Sequence, residues 1–230
     1  MKYEIIKNDE RGKSDYGWLK SRFSFSFGNY YNPKQMGFGK LRVLNDDIIA
    51  PEHGFDMHPH DNMEIISIVT EGTLSHKDSM GNLEDVKAGE IQVMSAGSGL
   101  LHSEFNNSKT KPVQLFQLWI FPKEKDIKPT HSKMKLDLKS DELFLIVSGK
   151  KNKDSLTINQ DAKIHLGKLS GKKKITYSLN KNRGLYLFVI DGECKLNDII
   201  LKKRDAIAIE GKVDFTLSGK CYVLLVESDL

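Results

Sequence analysis

The sequence predicts an all-β protein, and three observations carry that expectation. Apolar residues recur with a period of two or in short β-branched runs, turn residues separate those runs at regular intervals, and no segment sustains a helical period. Phe23-Ser24-Phe25-Ser26-Phe27 alternates like a half-buried strand. Ile65-Ile66-Ser67-Ile68-Val69 is a β-branched run that stops at the turn signal Glu71-Gly72. Lys77 to Asn82 reads as a hairpin loop, Val86 to Glu90 as a second turn, and Val113 to Phe121 as a strand closed by Pro122. Short strands at such spacing predict a sandwich, jelly roll or barrel.

From Pro122 to about Ser140 the chain is polar and lysine-rich with Pro129 inside, which predicts a connection between domains 1–132 and 133–230. Beyond it the strand pattern repeats. Leu185 to Gly192 overlays Ile65 to Gly72 at an offset of 120 residues, and Lys203 to Ile209 overlays Ala88 to Met94 at an offset of 115. The deficit of five falls in the intervening hairpin, where length changes are tolerated. Two copies of one β-barrel-like unit account for both matches.

Composition sets the broad class. At 230 residues, 39% hydrophobic and 29% charged, the chain reads as a soluble globular protein with ample core. No apolar run approaches the roughly 20 residues that span a bilayer. The opening Met1 to Lys7 lacks the apolar stretch of a signal peptide, and Cys194 and Cys221 have no CxxC partner. The expectation is a cytoplasmic protein with two reduced, strand-packed thiols. The net charge of +4 divides into −2 over residues 1–130 (16 basic, 18 acidic) and +6 over 131–230 (19 basic, 13 acidic). The basic residues are scattered lysines, and the run Lys172-Lys173-Lys174 has no aromatic interleaving, so nucleic-acid binding is not expected. With no exposed heptad or apolar repeat, a monomer is the default.

Two phrases carry the chemistry: His58-Pro59-His60 and His102-Ser103-Glu104. Residues two apart on a strand share a face, about 7 Å apart along the backbone, so two imidazoles can lean onto one ion. The second phrase adds an imidazole and a carboxylate. Three neutral nitrogens and one hard anion suit a divalent transition ion such as Fe, Ni, Co, Cu, Mn or Zn.

Glu64 competes for the fourth place, because on a regular strand residues 58, 60, 62 and 64 share one face. It is either a ligand in place of Glu104 or an acceptor that fixes an imidazole tautomer. Glu104 is preferred, since its pairing with His102 mirrors the first phrase. His76 has the parity of a barrel wall and reads as structural or as a support to the ligands. His53, His131 and His165 read as incidental. The repeat supplies an internal comparison: His58 and His60 correspond to Ser178 and Asn180, and no histidine lies near residue 217. The second copy is therefore expected to be free of metal.

At these residues the chain resembles a known family. Gly54-Phe55-Asp56-Met57-His58-Pro59-His60, with Met63-Glu64-Ile65 and Glu71-Gly72, resembles the first cupin motif as pirins carry it, and Gly89, Gly97, His102 and Asn106 resemble the second. His76 to Asn82, Met94 to Gly97, Tyr16 to Leu19, Phe23 to Phe25, Asn29 to Tyr31 and Leu41 to Val43 are also similar to pirins. Ser95 in place of the usual cupin Pro, and a five-residue step from Gly97 to His102, favour the pirin branch. The likeness is dense over residues 16–131 and weak beyond, and it is nearest to bacterial pirin-like proteins with quercetinase activity.

The resemblance implies a bicupin, two tandem jelly-roll barrels, with the metal on His58, His60, His102 and Glu104 and with Glu64 outside the ligand set. It implies iron, as Fe(II), although quercetinases as a class accept several divalent ions. The implied activity is a dioxygenase that opens the central ring of a flavonol such as quercetin with O₂ and releases carbon monoxide, with Glu104 as proton acceptor for the 3-hydroxyl. A second function from a different class stays open: an iron-binding interaction or redox-sensing protein that modulates a partner such as a transcription factor. A cupin enzyme with another substrate is a third.

Overall fold

A strand that alternates buries one face, whereas a strand that is apolar throughout must bury both. Glu64–Glu71 and Arg183–Leu196 are of the second kind, and each lies inside a large sheet. A computed structural model describes residues 2–230. Its first strands are β1 (Lys2–Ile6), β2 (Gly12–Asp15), β3 (Leu19–Phe23), β4 (Leu41–Ile49), β5 (His53–His60), β6 (Glu64–Glu71) and β7 (Thr73–Asp78). Next come β8 (Leu83–Lys87), β9 (Glu90–Ser95), β10 (Leu100–Asn106), β11 (Val113–Ile120), β12 (Thr130–Lys135), β13 (Leu143–Ser148) and β14 (Leu156–Thr157). The rest are β15 (Ala162–Ser170), β16 (Ile175–Leu179), β17 (Arg183–Leu196), β18 (Ile199–Lys202), β19 (Ala206–Glu210), β20 (Val213–Ser218) and β21 (Lys220–Asp229). Helix is confined to one 3₁₀ turn at Asn8–Glu10 among the described residues, and no helix is long and apolar enough to cross a membrane.

The strands form two barrels in tandem, the bicupin architecture the resemblance implies. In the first, the sheet β12-β9-β6-β11-β4-β3-β2 faces the sheet β5-β10-β7-β8, and Leu74 and Val86 pack across onto Leu19, Ile49 and Val69. In the second, β16, β18 and β20 cover the sheet β1-β19-β17-β21-β15-β13-β14. The two large sheets also pack against each other. Ile66, Ile68, Phe116 and Leu118 from the first meet Tyr186, Phe188, Leu224 and Val226 from the second in one shared core. The Phe116 and Phe188 rings meet edge to face, centroids 5.6 Å apart. Each such side chain contributes about 1.5–3 kcal/mol by leaving water.

The repeat holds at the level of register. Ile65 pairs with Met94 and Ile68 with Ile91, while Leu185 pairs with Ile209 and Phe188 with Ala206, the same partners shifted by 120 and 115 residues. The turn before β9 places Gly89 at φ +82°, and Gly89 N–H donates to Val69 O at 3.0 Å. Its counterpart is Arg204 at φ +69°, whose N–H donates to Val189 O at 2.6 Å. The left-handed conformation suits glycine and strains arginine. What offsets the strain is contact between barrels: the Arg204 guanidinium reaches Asp46 of β4 at 2.7 Å and lies 4.9 Å over the Phe116 ring.

Two local expectations are corrected, and one pairing has no counterpart in the sequence reading. Phe23–Phe27 is not a strand: β3 ends at Phe23, and the reciprocal bonds of Ser26 Oγ with the backbone of Asn32, at 2.9 Å each, draw the chain into a loop. The polar stretch after Pro122 contains β12, an edge strand whose lysines face outward while Thr130–Lys135 pairs with β9. Lys2–Ile6 joins the second sheet rather than the first, pairing with β19.

Candidate metal centre

β5 and β10 lie side by side and antiparallel, with His102 opposite His58 and Leu100 opposite His60. Pro59 has no N–H to give a ladder, and it is tolerated because β5 is the edge of its four-stranded sheet. Gly54 lets the strands approach, since a Cβ there would strike the Glu104 carbonyl and Phe105. Between His102 and Glu104 the register slips by one residue, so Glu104 pairs with Phe55. Such bulges re-aim side chains at functional sites.

Three imidazoles converge. Ring centroids lie 4.4 Å apart for His58 and His102, 4.9 Å for His58 and His60, and 4.9 Å for His60 and His102. One ring nitrogen from each falls within 4.8 Å of the others. His58 Nδ1–H donates to the Asp56 carbonyl at 2.7 Å, which leaves the Nε2 lone pair free. His102 is 1% exposed, and neither of its ring nitrogens has a hydrogen-bond partner. Burial, reinforced by the neighbouring imidazoles, pulls His102 down to about 2 and His60 to about 4. Both rings are neutral at pH 7, as metal ligation requires.

Glu104 is 2% exposed and held from three sides. Oε1 accepts from Ser67 Oγ at 3.2 Å and Gln92 Nε2 at 3.3 Å, and Oε2 accepts from Gln117 Nε2 at 2.7 Å. Burial raises its pKa, and the bonds from Gln117 and Ser67 oppose that rise. Gln117 Oε1 in turn accepts from Trp119 Nε1 at 3.0 Å, and the Trp119 ring meets His60 edge-on at 4.9 Å. Gln92, Ser67, Gln117 and Asn45 are successive neighbours across β9, β6, β11 and β4, one polar row on the inner face. These residues were missed in the sequence. Their signal is a lone polar residue inside an apolar strand, as in Ile66-Ser67-Ile68 and Ile91-Gln92-Val93.

Of the competitors, Glu64 goes elsewhere. Asn62 adopts φ +47° in the turn after β5, which breaks the parity that would align residue 64 with 58 and 60. Glu64 accepts from Ser95 Oγ at 2.5 Å and from the Asn159 backbone. His76 is buried 5.3 Å from His102, with Nε2 3.4 Å from Asp78 Oδ2, and it joins His102 and Glu104 in a second group of mutual 4.8 Å reach. His131, read as incidental, stacks on His76 at 4.6 Å and donates from Nε2 to Gln92 Oε1 at 3.3 Å, because β12 adds it to the sheet. His53 stacks on Trp18, and His165 sits edge-on to Tyr177 in the second barrel.

The second barrel fills the equivalent space with hydrocarbon. The pairs Ser67–Gln92, Ser67–Gln117 and His76–Glu104 become Leu187–Ile207, Leu187–Leu225 and Leu196–Leu217, all in its core. Both groups of three metal-competent side chains found among the described residues belong to the first barrel.

A cavity of about 560 Å³ opens beside the histidines, walled by Trp18, Phe23, Phe27, Phe55 and Trp119 and reaching His58, His60 and Glu104. A cleft of about 640 Å³ lined by Lys13, Lys20, Arg22 and Arg204 is larger, but it touches none of the histidines, so chemistry is assigned to the smaller space.

Comparison with known proteins identifies the family. The Pirin family matches residues 6–120, and the quercetinase C-terminal cupin domain matches residues 145–227. A quercetin 2,3-dioxygenase of Escherichia coli K12 is 41% identical over 205 residues, covering 89% of this chain and 88% of the relative. A pirin-like protein of Caulobacter vibrioides is 38% identical over 92% of each chain. The crystal structure of the bacterial pirin YhhW from E. coli in complex with nickel(II) superposes with a TM-score of 0.95 at 36% identity, covering 99% of each chain. The chain belongs to the pirin family.

Proposed function

We propose that this protein is a metal-dependent dioxygenase of the quercetin 2,3-dioxygenase type, cleaving the central ring of a flavonol with O₂ and releasing CO. The observation that carries the reading is a trio of converging imidazoles, with both ring nitrogens of His102 buried and without partners, opening on an aromatic cavity of about 560 Å³. A buried imidazole with no hydrogen bond is costly unless something else occupies its lone pair. A divalent ion would occupy it: His58, His60 and His102, with Glu104 beside His102, would hold one such ion, Fe(II) by family, with nickel bound by the E. coli relative.

When bound, such an ion supplies Lewis acidity that lowers the pKa of a hydroxyl beside it. The chain's own residues do the rest. Trp18, Phe27 and Trp119 hold a planar ring system and exclude water. Glu104 is the proton acceptor assigned to the 3-hydroxyl, and the Gln117 amide, 2.7 Å from Oε2, fixes the position of its carboxylate. We further propose the two-domain division, with its boundary moved from residue 132 to just past Lys135 because β12 pairs with β9, giving a metal-binding first domain and a second domain that has lost the ligands.

The test is O₂ consumption and CO release with quercetin by wild type, His58→Ala and Glu104→Ala. Turnover by wild type and its loss in both variants is expected; equal turnover in all three would reject the assignment.

A further inference from the structure

The geometry points to Asp47, with Asn45 beside it, as a recognition subsite that accepts a hydrogen bond from a phenolic or enolic hydroxyl of a ligand in the metal-side cavity. The inference rests on the flavonol reading and narrows it.

Asn45 and Asp47 stand two apart on β4, on one face, and both line the cavity. The intervening Asp46 points the other way, into the pairs with Arg11 and Arg204. Asn45 is 3% exposed and Asp47 5%, and Oδ1 of each has no donor. The other acceptors on this wall are engaged. Glu104, already held by Ser67, Gln92 and Gln117, is assigned to the 3-hydroxyl, and Gln117 spends its amide on Glu104 and its carbonyl on Trp119. Ser21, opposite Asp47 on β3, gives Asp47 one hydrogen bond, and no further donor reaches it.

A buried acceptor short of donors favours a ligand that brings one. The charges around Asp47 decide which kind. Its nearest acidic neighbours are Asp46 and Glu104, against Arg11 alone, and burial leads in pushing its carboxyl up to about 7. A carboxylic acid or phosphate placed against Asp47 would set a second acidic group directly beside it. A neutral O–H adds none. The subsite therefore selects polyhydroxylated aromatics over aromatic acids of the same size, and it selects the hydroxyl over its methyl ether, which lacks the donor and adds bulk.

The experiment is an O₂-free titration of the nickel-loaded protein with quercetin and each of its mono-O-methyl ethers, followed by quenching of Trp18 and Trp119 fluorescence. It is run on wild type, Asp47→Leu and Asp47→Asn. Wild type is expected to discriminate against one ether by about tenfold or more, the scale of a single lost hydrogen bond. Asp47→Leu should bind quercetin and that ether alike, whereas Asp47→Asn, which keeps an acceptor oxygen and the side-chain shape, should retain most of the preference. An unchanged preference in folded Asp47→Leu overturns the subsite and leaves the flavonol reading standing. No binding of quercetin by wild type overturns the flavonol reading, and the subsite with it.

Discussion

Gln117 donates its side-chain amide to Glu104 Oε2 at 2.7 Å, the shortest of the three bonds that hold this carboxylate. The bond crosses between the two sheets of the first barrel, so it sets where a residue of β10 points from a position on β11. Gln117→Leu removes the donor and keeps the bulk. Affinity for nickel or zinc, measured by isothermal titration, should fall about 10- to 100-fold, the range for loss of a partner that orients a ligand. Unchanged affinity would show that Glu104 needs no such support.

His102 is a liability without metal. Both ring nitrogens are buried and unpartnered, and the second barrel places Leu187, Leu196, Ile207, Leu217 and Leu225 at the matching positions around this space. His102→Leu should raise the stability of the metal-free protein by ~1–3 kcal/mol in denaturant unfolding. The same variant should lose the rise in Tm that wild type gains on adding metal. Destabilisation of the metal-free variant would contradict this reading.

His165 makes the stability of the second barrel depend on pH. Burial holds His165 at about 4, against an ordinary 6.5. Between those values the unfolded chain binds a proton that the folded chain refuses, so stability is full above about 6.5 and declines as pH falls toward 4. Carboxyls such as Asp47, raised to about 7, titrate with the opposite sign, so total stability is not a clean readout. The difference between wild type and His165→Asn is. Asn stands at the equivalent position in the first barrel, Asn45, and does not titrate. The variant should be flatter between pH 6.5 and 4, by up to about 3 kcal/mol. Parallel unfolding curves across that window would count against a buried neutral His165.

Asp46 carries two arginines at the seam between the barrels: Arg204 at 2.7 Å and the buried Arg11 at 3.6 Å. Asp46→Ala strands both charges and should cost about 3–5 kcal/mol in chemical denaturation. Arg204→Gly should cost less, because it also relieves the left-handed strain at φ +69°. The reverse order would mean that the contact of Arg204 with Phe116, rather than the ion pair, carries the seam.

Much of this was legible in the sequence, and the failures have physical causes. His58, Pro59 and His60 declare themselves because a period of two needs no tertiary information. The tandem repeat was equally plain, since Ile65–Gly72 and Leu185–Gly192 keep both their pattern and, in the structure, their pairing register. Glu64 was a competitor only because parity holds along an unbroken strand, and Asn62 breaks it. His131 and Lys2–Ile6 depend on which distant edge a short strand joins, which local pattern does not encode. Ser67, Gln92 and Gln117 form a row only once the registers of three strands are known, although each is conspicuous as a polar residue in an apolar run.

Anomalous diffraction at the absorption edge of the metal, from crystals of nickel- or iron-reconstituted protein, tests the central proposal most directly. A single peak is expected on the β5–β10 side of the first barrel, at about 2.0–2.2 Å from one nitrogen each of His58, His60 and His102 and one oxygen of Glu104. A peak among His76, His102 and Glu104 that leaves His58 and His60 unligated, or no peak in fully reconstituted protein, would contradict it.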